Sequence, residues 1–209
     1  MICEIKMRRG TKMRRDKKDA TINGKIEVRF NWDAFPRQYS GGLFGGLFGD
    51  STSVDCDARA VFCDAEGVPV SPRNREACLS YLDPDMYDGA ALHHGDNQTG
   101  HGKDDETISL DLTAIPPEVG RIFLTMDLFK EKRSIGFGRI QNPSIRILRA
   151  GSREELARSD FRNLGVDANL VAGGVLYREK KGWSFIQKQD SYKLEDMDAF
   201  LAQLAEKKR

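Results

Sequence analysis

The sequence predicts an all-β sandwich, two packed and mainly antiparallel sheets with a few peripheral helices. Three observations carry this expectation. Short stretches of period-two alternation recur every 8 to 12 residues. Turn residues separate them. Helical periodicity is clear only near the C-terminus, where Leu194, Met197, Leu201 and Leu204 recur at spacings of three, four and three, the stripe of an amphipathic helix packing on a sheet.

At 209 residues the chain is long enough to bury a full core, and we read it as one domain over 1–209 with its core at about 22–205. A hydrophobic content of 39%, 31% charged residues and a net charge of +1 describe a soluble globular protein and exclude an overall bias toward nucleic acid. The N-terminus lacks the apolar core of a signal peptide, and no run approaches the ~18 apolar residues of a membrane span, so a cytoplasmic location is expected. Cys3, Cys56, Cys63 and Cys78 form no C-x-x-C pair and read as small buried hydrophobes rather than disulfides or zinc ligands.

Met1 to Met7 alternates like a first strand. The run from Arg8 to Lys18 that follows holds seven cations with no interleaved aromatic, and reads as a solvated basic loop. Asn23-Gly24 is a hairpin turn signal, after which Ile26, Val28, Phe30 and Trp32 alternate along a strand ending at Asp33. A repeat, Gly-Gly-Leu-Phe at 41–44 and again at 45–48, fits no regular element: its Leu43, Phe44, Leu47 and Phe48 either fold back on the core or are presented to a membrane or partner. Val54 to Cys63 is a two-sided strand. Val54, Cys56, Ala58, Ala60 and Phe62 share one face, and period two sets Asp55 and Asp57 side by side with Arg59 on the other, a two-pronged clamp for a cation.

A turn at Asp64 to Gly67 leads to a further short strand. Ile108, Leu110 and Leu112 alternate next, Pro116-Pro117 allows at most one helical turn, and the nearly continuous apolar run from Arg121 to Phe129 suits a strand covered on both faces. Ser144 to Leu148 is another strand; Ser152 and Glu155 could cap a short helix, though Leu156 to Phe161 reads equally well as extended. Val175 to Arg178 and Trp183 to Lys188 form a hairpin turning at Lys180-Lys181-Gly182.

Between the strand signals lies an acidic loop. From Asp83 to Glu106 there are seven carboxylates against one lysine, and His93-His94-Gly95-Asp96-Asn97-Gln98-Thr99-Gly100 is built of small residues and oxygen donors. Like charges a few ångströms apart cost on the order of 4 kcal/mol per pair at an effective dielectric of ~20, so bringing them together requires a cation, protons or solvent. Carboxylates, an amide carbonyl, a hydroxyl and carbonyls freed by glycine are the ligands that Ca²⁺ gathers. The same residues also make ordinary polar turns. The spacing is not that of an EF-hand, so a cation here must draw ligands from elsewhere in the chain.

Trp32-Asp33, Val54-Asp55-Cys56-Asp57 through Phe62, the element His94-Gly95-Asp96-Asn97-Gln98-Thr99-Gly100, and Asp104-Asp105-Glu106 ahead of Leu110-Asp111-Leu112 together resemble the TerD family of tellurium-resistance and stress-response proteins. Phe137-Gly138, Asn142 with Arg146, and Leu176-Tyr177-Arg178 before Trp183-Ser184-Phe185 extend the likeness. The resemblance implies a calcium-binding β-sandwich. Carried over by position, it implies Asp33, Asp55, Asp57, Asp96, Asn97, Thr99, Asp104, Asp105 and Glu106 as ligands for one or two Ca²⁺ ions. At Gly102-Lys103 the sequence is one residue short of the family's pattern, which removes a ligand and adds a positive charge.

The expected function is therefore a non-enzymatic, calcium-binding module of a tellurite- or stress-resistance system that acts through protein partners. The alternative is calcium-dependent docking to a membrane through the 41–49 loop. A metal-dependent hydrolase using His93, His94 or His101 is a third class, but no nucleophile motif accompanies these histidines, and an oxygen cage does not generate hydroxide as zinc does. Adjacent histidines on an extended chain point opposite ways, which also disfavours a zinc site.

Overall fold

The computed structural model describes residues 21–33, 55–71, 77–98, 105–128 and 136–206. The expected first strand, the basic run 8–18 and the 41–49 repeat with Leu43, Phe44, Leu47 and Phe48 lie outside the described residues.

The strands in chain order are β1 (Lys25–Asp33), β2 (Cys56–Cys63), β3 (Cys78–Leu79), β4 (Asp85–Met86), β5 (Ala91–His93), β6 (Glu106–Asp111), β7 (Arg121–Leu128), β8 (Gln141–Arg149), β9 (Glu155–Asp160), β10 (Leu170–Glu179) and β11 (Gly182–Tyr192), followed by helix α1 (Met197–Glu206). They form two antiparallel sheets, one ordered β4-β5-β6-β1-β8-β9 and the other β11-β10-β7-β2-β3.

The core is the space between the sheets. Alternation along β1 turns Ile26, Val28, Phe30 and Trp32 inward, where each is fully buried. The facing sheet answers with Cys56, Ala58, Ala60 and Phe62 of β2 and Ile122, Leu124, Met126 and Leu128 of β7. Full burial of each large side chain stabilises by about 1.5–3 kcal/mol, so this layer dominates the fold's stability.

The second sheet is covered on its outer face as well. Phe200 and Leu204 of α1 pack on Val61, Cys63, Cys78, Leu170 and Ala172, and the Phe200 ring meets Tyr192 edge-on with centroids 5.3 Å apart. Two-sided covering explains why β7, central in its sheet, places apolar residues on both faces, with Ile122, Leu124, Met126 and Leu128 toward the core and Phe123 toward α1.

Several local expectations change. Asn23-Gly24 does not close a hairpin: Ile22 bridges Trp183 of β11, so the turn, with Gly24 at φ +76°, carries the chain from one sheet to the other. For residues 155–160, where helix and extended readings stood open, the extended one holds: they form strand β9, and Ser152 closes a tight turn before it, its hydroxyl donating to the Arg149 carbonyl and accepting from the Glu154 N–H. Among the described residues α1 is the one α-helix, accompanied by a single 3₁₀ turn at Phe137–Arg139.

Ladder irregularity in β10 has a packing cause. Its register shifts between Ala172 and Gly174 against both neighbours, and a Cβ on Gly173 would stand 2.1 Å from the Phe161 ring and 2.8 Å from Ile145 Cδ1. Gly173→Ala is expected to overpack this corner and cost about 1–3 kcal/mol, read as a lower urea midpoint with the slope unchanged.

Candidate metal centre

Three carboxylates converge at one end of the sandwich. Asp55 precedes β2, Asp57 lies within it two residues on, and Asp96 comes from the loop between β5 and β6. One oxygen from each lies within 4.8 Å of the others, with Asp57 buried, Asp55 half-buried and Asp96 exposed. The trio could hold a metal ion: its donors are hard oxygens, one side opens to solvent, and like charges at this separation repel strongly without one.

The electrostatics of Asp57 show this strain. Its carboxyl is pushed from 3.8 up to about 7, first by burial, then by Asp127 opposite it on β7, and further by Glu106 and Asp55. Arg59 works the other way. Its guanidinium bonds Asp127 at 2.6 Å and stands 3.4 Å from Asp57. Burial opposes the arginine's charge, and Asp127 and Asp57 more than offset that. Tyr81 borders the trio: its hydroxyl is held above its usual range by desolvation and by the charges of Asp57, Asp96 and Asp55.

Behind the trio, Glu106 replaces a missing strand. Short β3 pairs with β2 only at Ala60 and Val61, so Ala58, two residues earlier, has no strand neighbour on that side among the described residues. Glu106 Oε2 accepts the Ala58 N–H at 2.7 Å, and His93 Nε2 lies 3.2 Å from the Ala58 carbonyl and 3.4 Å from Glu106 Oε2. His93 Nδ1 accepts the Gly95 N–H, which leaves the ring hydrogen on Nε2, where it serves both oxygens. Glu106 Oε1 also accepts the Asn97 N–H at 3.2 Å, fixing the loop that presents Asp96.

The remaining expected ligands are placed differently. Asp105 joins the loop to β1, its Oδ2 accepting the Trp32 N–H at 2.9 Å and its Oδ1 the Asn97 side-chain amide at 3.2 Å. Asp33 stands outside the trio and accepts a 2.6 Å hydrogen bond from Asn142 Nδ2. Thr99 and Asp104 lie outside the described residues, as does His101. His93 and His94 do point apart: His93 is buried, while His94 is exposed and reaches Ser109 Oγ at 2.6 Å. No histidine joins the acidic group among the described residues.

Sequence reasoning set Arg59 on the face of Asp55 and Asp57 but missed its bond to Asp127, and it missed the inward role of His93. A signal for Asp127 existed, since a lone carboxylate inside an apolar, covered strand must have a partner. Burial and the surrounding acids push the Cys56 thiol well up, so it is an inert core residue beside the site.

The sequence matches the TerD domain family over residues 3–203. It is 30% identical over 164 residues to general stress protein 16U of Bacillus subtilis, covering 77% of each chain. It is 29% identical over 169 residues to tellurium resistance protein TerZ of Serratia marcescens, covering 80% of each. A crystal structure of a homologue of telluride resistance protein TerD from Streptomyces coelicolor superposes with a TM-score of 0.63 at 18% identity, over 84% of this chain and 94% of that one, and so shares the fold. With its sandwich, its acidic loop and these relatives, the chain belongs to the TerD domain family, whose named members here are tellurium-resistance and general stress proteins.

Proposed function

We propose that this chain is a non-enzymatic, calcium-binding module of a tellurite- or stress-resistance system, working through protein partners in the cytoplasm. The observation that supports this reading most directly is the Asp55, Asp57 and Asp96 trio, three carboxylates from two segments within 4.8 Å of one another. A bound Ca²⁺ would supply the positive charge and the oxygen coordination that this arrangement lacks. Asp55 and Asp57 form the rigid side of the site because β2 fixes them, and Asp96 is the adjustable side, carried on a loop that Glu106 and Asp105 tether. Closing Asp96 onto the strand would fix the shape of this end of the sandwich, and a partner that recognises the closed shape would then bind only the loaded protein.

Names of the relatives carry the stress-resistance half of the reading: one is called a tellurium resistance protein and another a general stress protein. No helix among the described residues is long and apolar enough to cross a membrane. The membrane alternative depends on the 41–49 loop, which lies outside the described residues, and no described feature favours it.

Titrating EDTA-stripped protein with Ca²⁺ and Mg²⁺ in a calorimeter tests the reading. Calcium-selective heat is expected, with a melting temperature that rises by mass action. Terbium gives a second readout, because Tyr81 borders the trio and its ring should sensitise the ion's emission. Asp96→Asn is exposed enough to leave folding intact and should weaken binding by about tenfold, the scale of one lost charge-assisted contact. No heat, no melting shift and no sensitised emission would exclude a cation at this site.

A further inference from the structure

A sandwich leaves backbone unpaired at the edges of its sheets, and on one side of this molecule the two edge strands differ. β9 ends one sheet and β11 the other. β9 has six residues and is blunted by charge: Arg158 bonds Asp160 at 2.7 Å, and Glu155 lies 4.0 Å from both Arg158 and Arg146. β11 has 11 residues and no proline. A long open edge of this kind is a template for another strand.

Among the described residues only the start of the β11 edge is covered. Ile22 and Trp183 exchange both backbone hydrogen bonds, at 2.7 and 2.9 Å, so the N–H and C=O of Trp183 point off the sheet. Alternation aims those of Phe185, Gln187, Gln189 and Ser191 the same way. The pattern survives the register shift against β10. At the far end the Asn169 N–H bonds the Tyr192 carbonyl, so Tyr192 faces inward, and the Gln187 and Gln189 side chains share one face, both reaching the Asp160 carbonyl. Nothing among the described residues bonds the backbone of Phe185, Gln187, Gln189 or Ser191 on the open side.

The side chains along this stretch select its occupant. Lys188 and Asp190 share the other face with Tyr192, whose ring packs on Phe200, and neither makes an ion pair or hydrogen bond among the described residues. A second, antiparallel β11 could pair with the first about a twofold axis in few registers. Centred on Lys188 or Asp190, the pairing opposes like charges; centred on Gln187, it sets Lys188 against Ile186. Centred on Gln189, it sets Lys188 opposite Asp190 of the second copy twice over, with Ile186 opposite Tyr192 and Gln187 opposite Ser191. Opposite charges facing across strands stabilise a ladder and like charges weaken it. The chain upstream of Thr21 fits less well. Continued in the register of Ile22 and Trp183, it would set Lys17 opposite Lys188 and Asp19 opposite Ile186, against the one gain of Arg15 opposite Asp190.

We propose that β11 is a self-association surface, through which two copies of this chain join edge to edge, antiparallel, about a twofold axis at Gln189. The sheets of the two copies that contain β11 then run on as one. Such an interface uses the same patch on both copies and closes at the dimer. This goes beyond the calcium reading and does not depend on it, since neither Lys188 nor Asp190 belongs to the acidic trio.

Sedimentation velocity of the full chain, from micromolar to near-millimolar concentration and in EDTA or calcium, tests the proposal. A reversible monomer–dimer equilibrium is expected in both solutions, loosened by salt. Lys188→Asp sets acid against acid on both sides of the axis, and Asp190→Lys sets lysine against lysine, so each should weaken the dimer by about tenfold or more. The double variant, Lys188→Asp with Asp190→Lys, regains both opposite pairs and should regain the dimer. Melting curves of the three, taken where the unaltered chain is monomeric, should coincide with its own. Hydrogen exchange identifies the occupant: the amides of residues 185–191 should become protected as concentration rises. Full protection of those amides in the monomer would mean that the chain's own N-terminal residues cover the edge, and would overturn the proposal. So would a chain that stays monomeric throughout, a dimer indifferent to either single reversal, or a double variant that fails to associate.

Discussion

In EDTA at pH 8, Asp57→Asn is expected to melt higher than the unaltered protein, and calcium is then expected to raise its melting temperature little or not at all. The first half follows from the carboxyl pushed up to about 7 by burial and by Asp127. Between its unfolded value of 3.8 and about 7 the folded protein binds the proton that the unfolded chain has released, so stability falls as pH rises through that window. The contribution is complete below the unfolded value and gone above about 7. Three pKa units correspond to up to about 4 kcal/mol, and even half of that is roughly 4–8 °C in a chain of this size. Asparagine is a neutral stand-in for the protonated acid. It removes the repulsion, leaves Arg59 its stronger bond to Asp127, and abolishes the pH dependence between 5 and 8 that the cation-free protein should show. The second half follows because the variant loses the buried member of the trio. A variant that melts lower in EDTA and still responds fully to calcium would contradict both the strain and the ligand role.

How much of this site could be read beforehand depends on how local each interaction is. The pairing of Asp55, just before β2, with Asp57 inside it and the inward Ile26, Val28, Phe30 and Trp32 of β1 were legible because side-chain period in an extended chain is two, whatever the strand pairs with. The β10 to β11 hairpin was legible from Lys180-Lys181-Gly182, with Gly182 at φ +132°. Asn23-Gly24 misled because turn chemistry specifies backbone angles, not which sheet receives the next strand. The partnership of Arg59 and Asp127, 68 residues apart, exists only in the register of β2 against β7. Asn142 and Asp33 meet across 109 residues for the same kind of reason, and no spacing rule reaches that far. His93 was weighed as a ligand, yet it faces inward because β3 ends too soon to pair with Ala58.

That short strand makes Glu106→Ala the costliest change expected at the site. The substitution leaves the Ala58 N–H without its acceptor, releases the Asn97 N–H that anchors the acidic loop, and takes the carboxylate away from His93. Each buried donor left unmade costs about 1–3 kcal/mol, and the Ala58 N–H, the Asn97 N–H and the His93 Nε2–H all lose this carboxylate, so a total of about 3–5 kcal/mol is expected. Glu106→Gln should cost less, about 1–3 kcal/mol, because the amide oxygen can still accept the Ala58 N–H beside His93 Nε2, while its NH₂ takes the place of Oε1 and opposes the Asn97 N–H. His93→Gln provides the matching test, since its amide hydrogen can reach the Ala58 carbonyl that His93 Nε2 now serves. Denaturant curves of all three in EDTA measure these costs without any cation. A Glu106→Ala variant as stable as the unaltered protein would mean that Ala58 finds another partner, and that Glu106 is present for the cation alone. If instead Glu106→Gln keeps most of the stability but loses calcium binding, the glutamate has both roles. It then completes the edge of β2 in the cation-free state and sets the position of Asp96, through Asn97, for the loaded one.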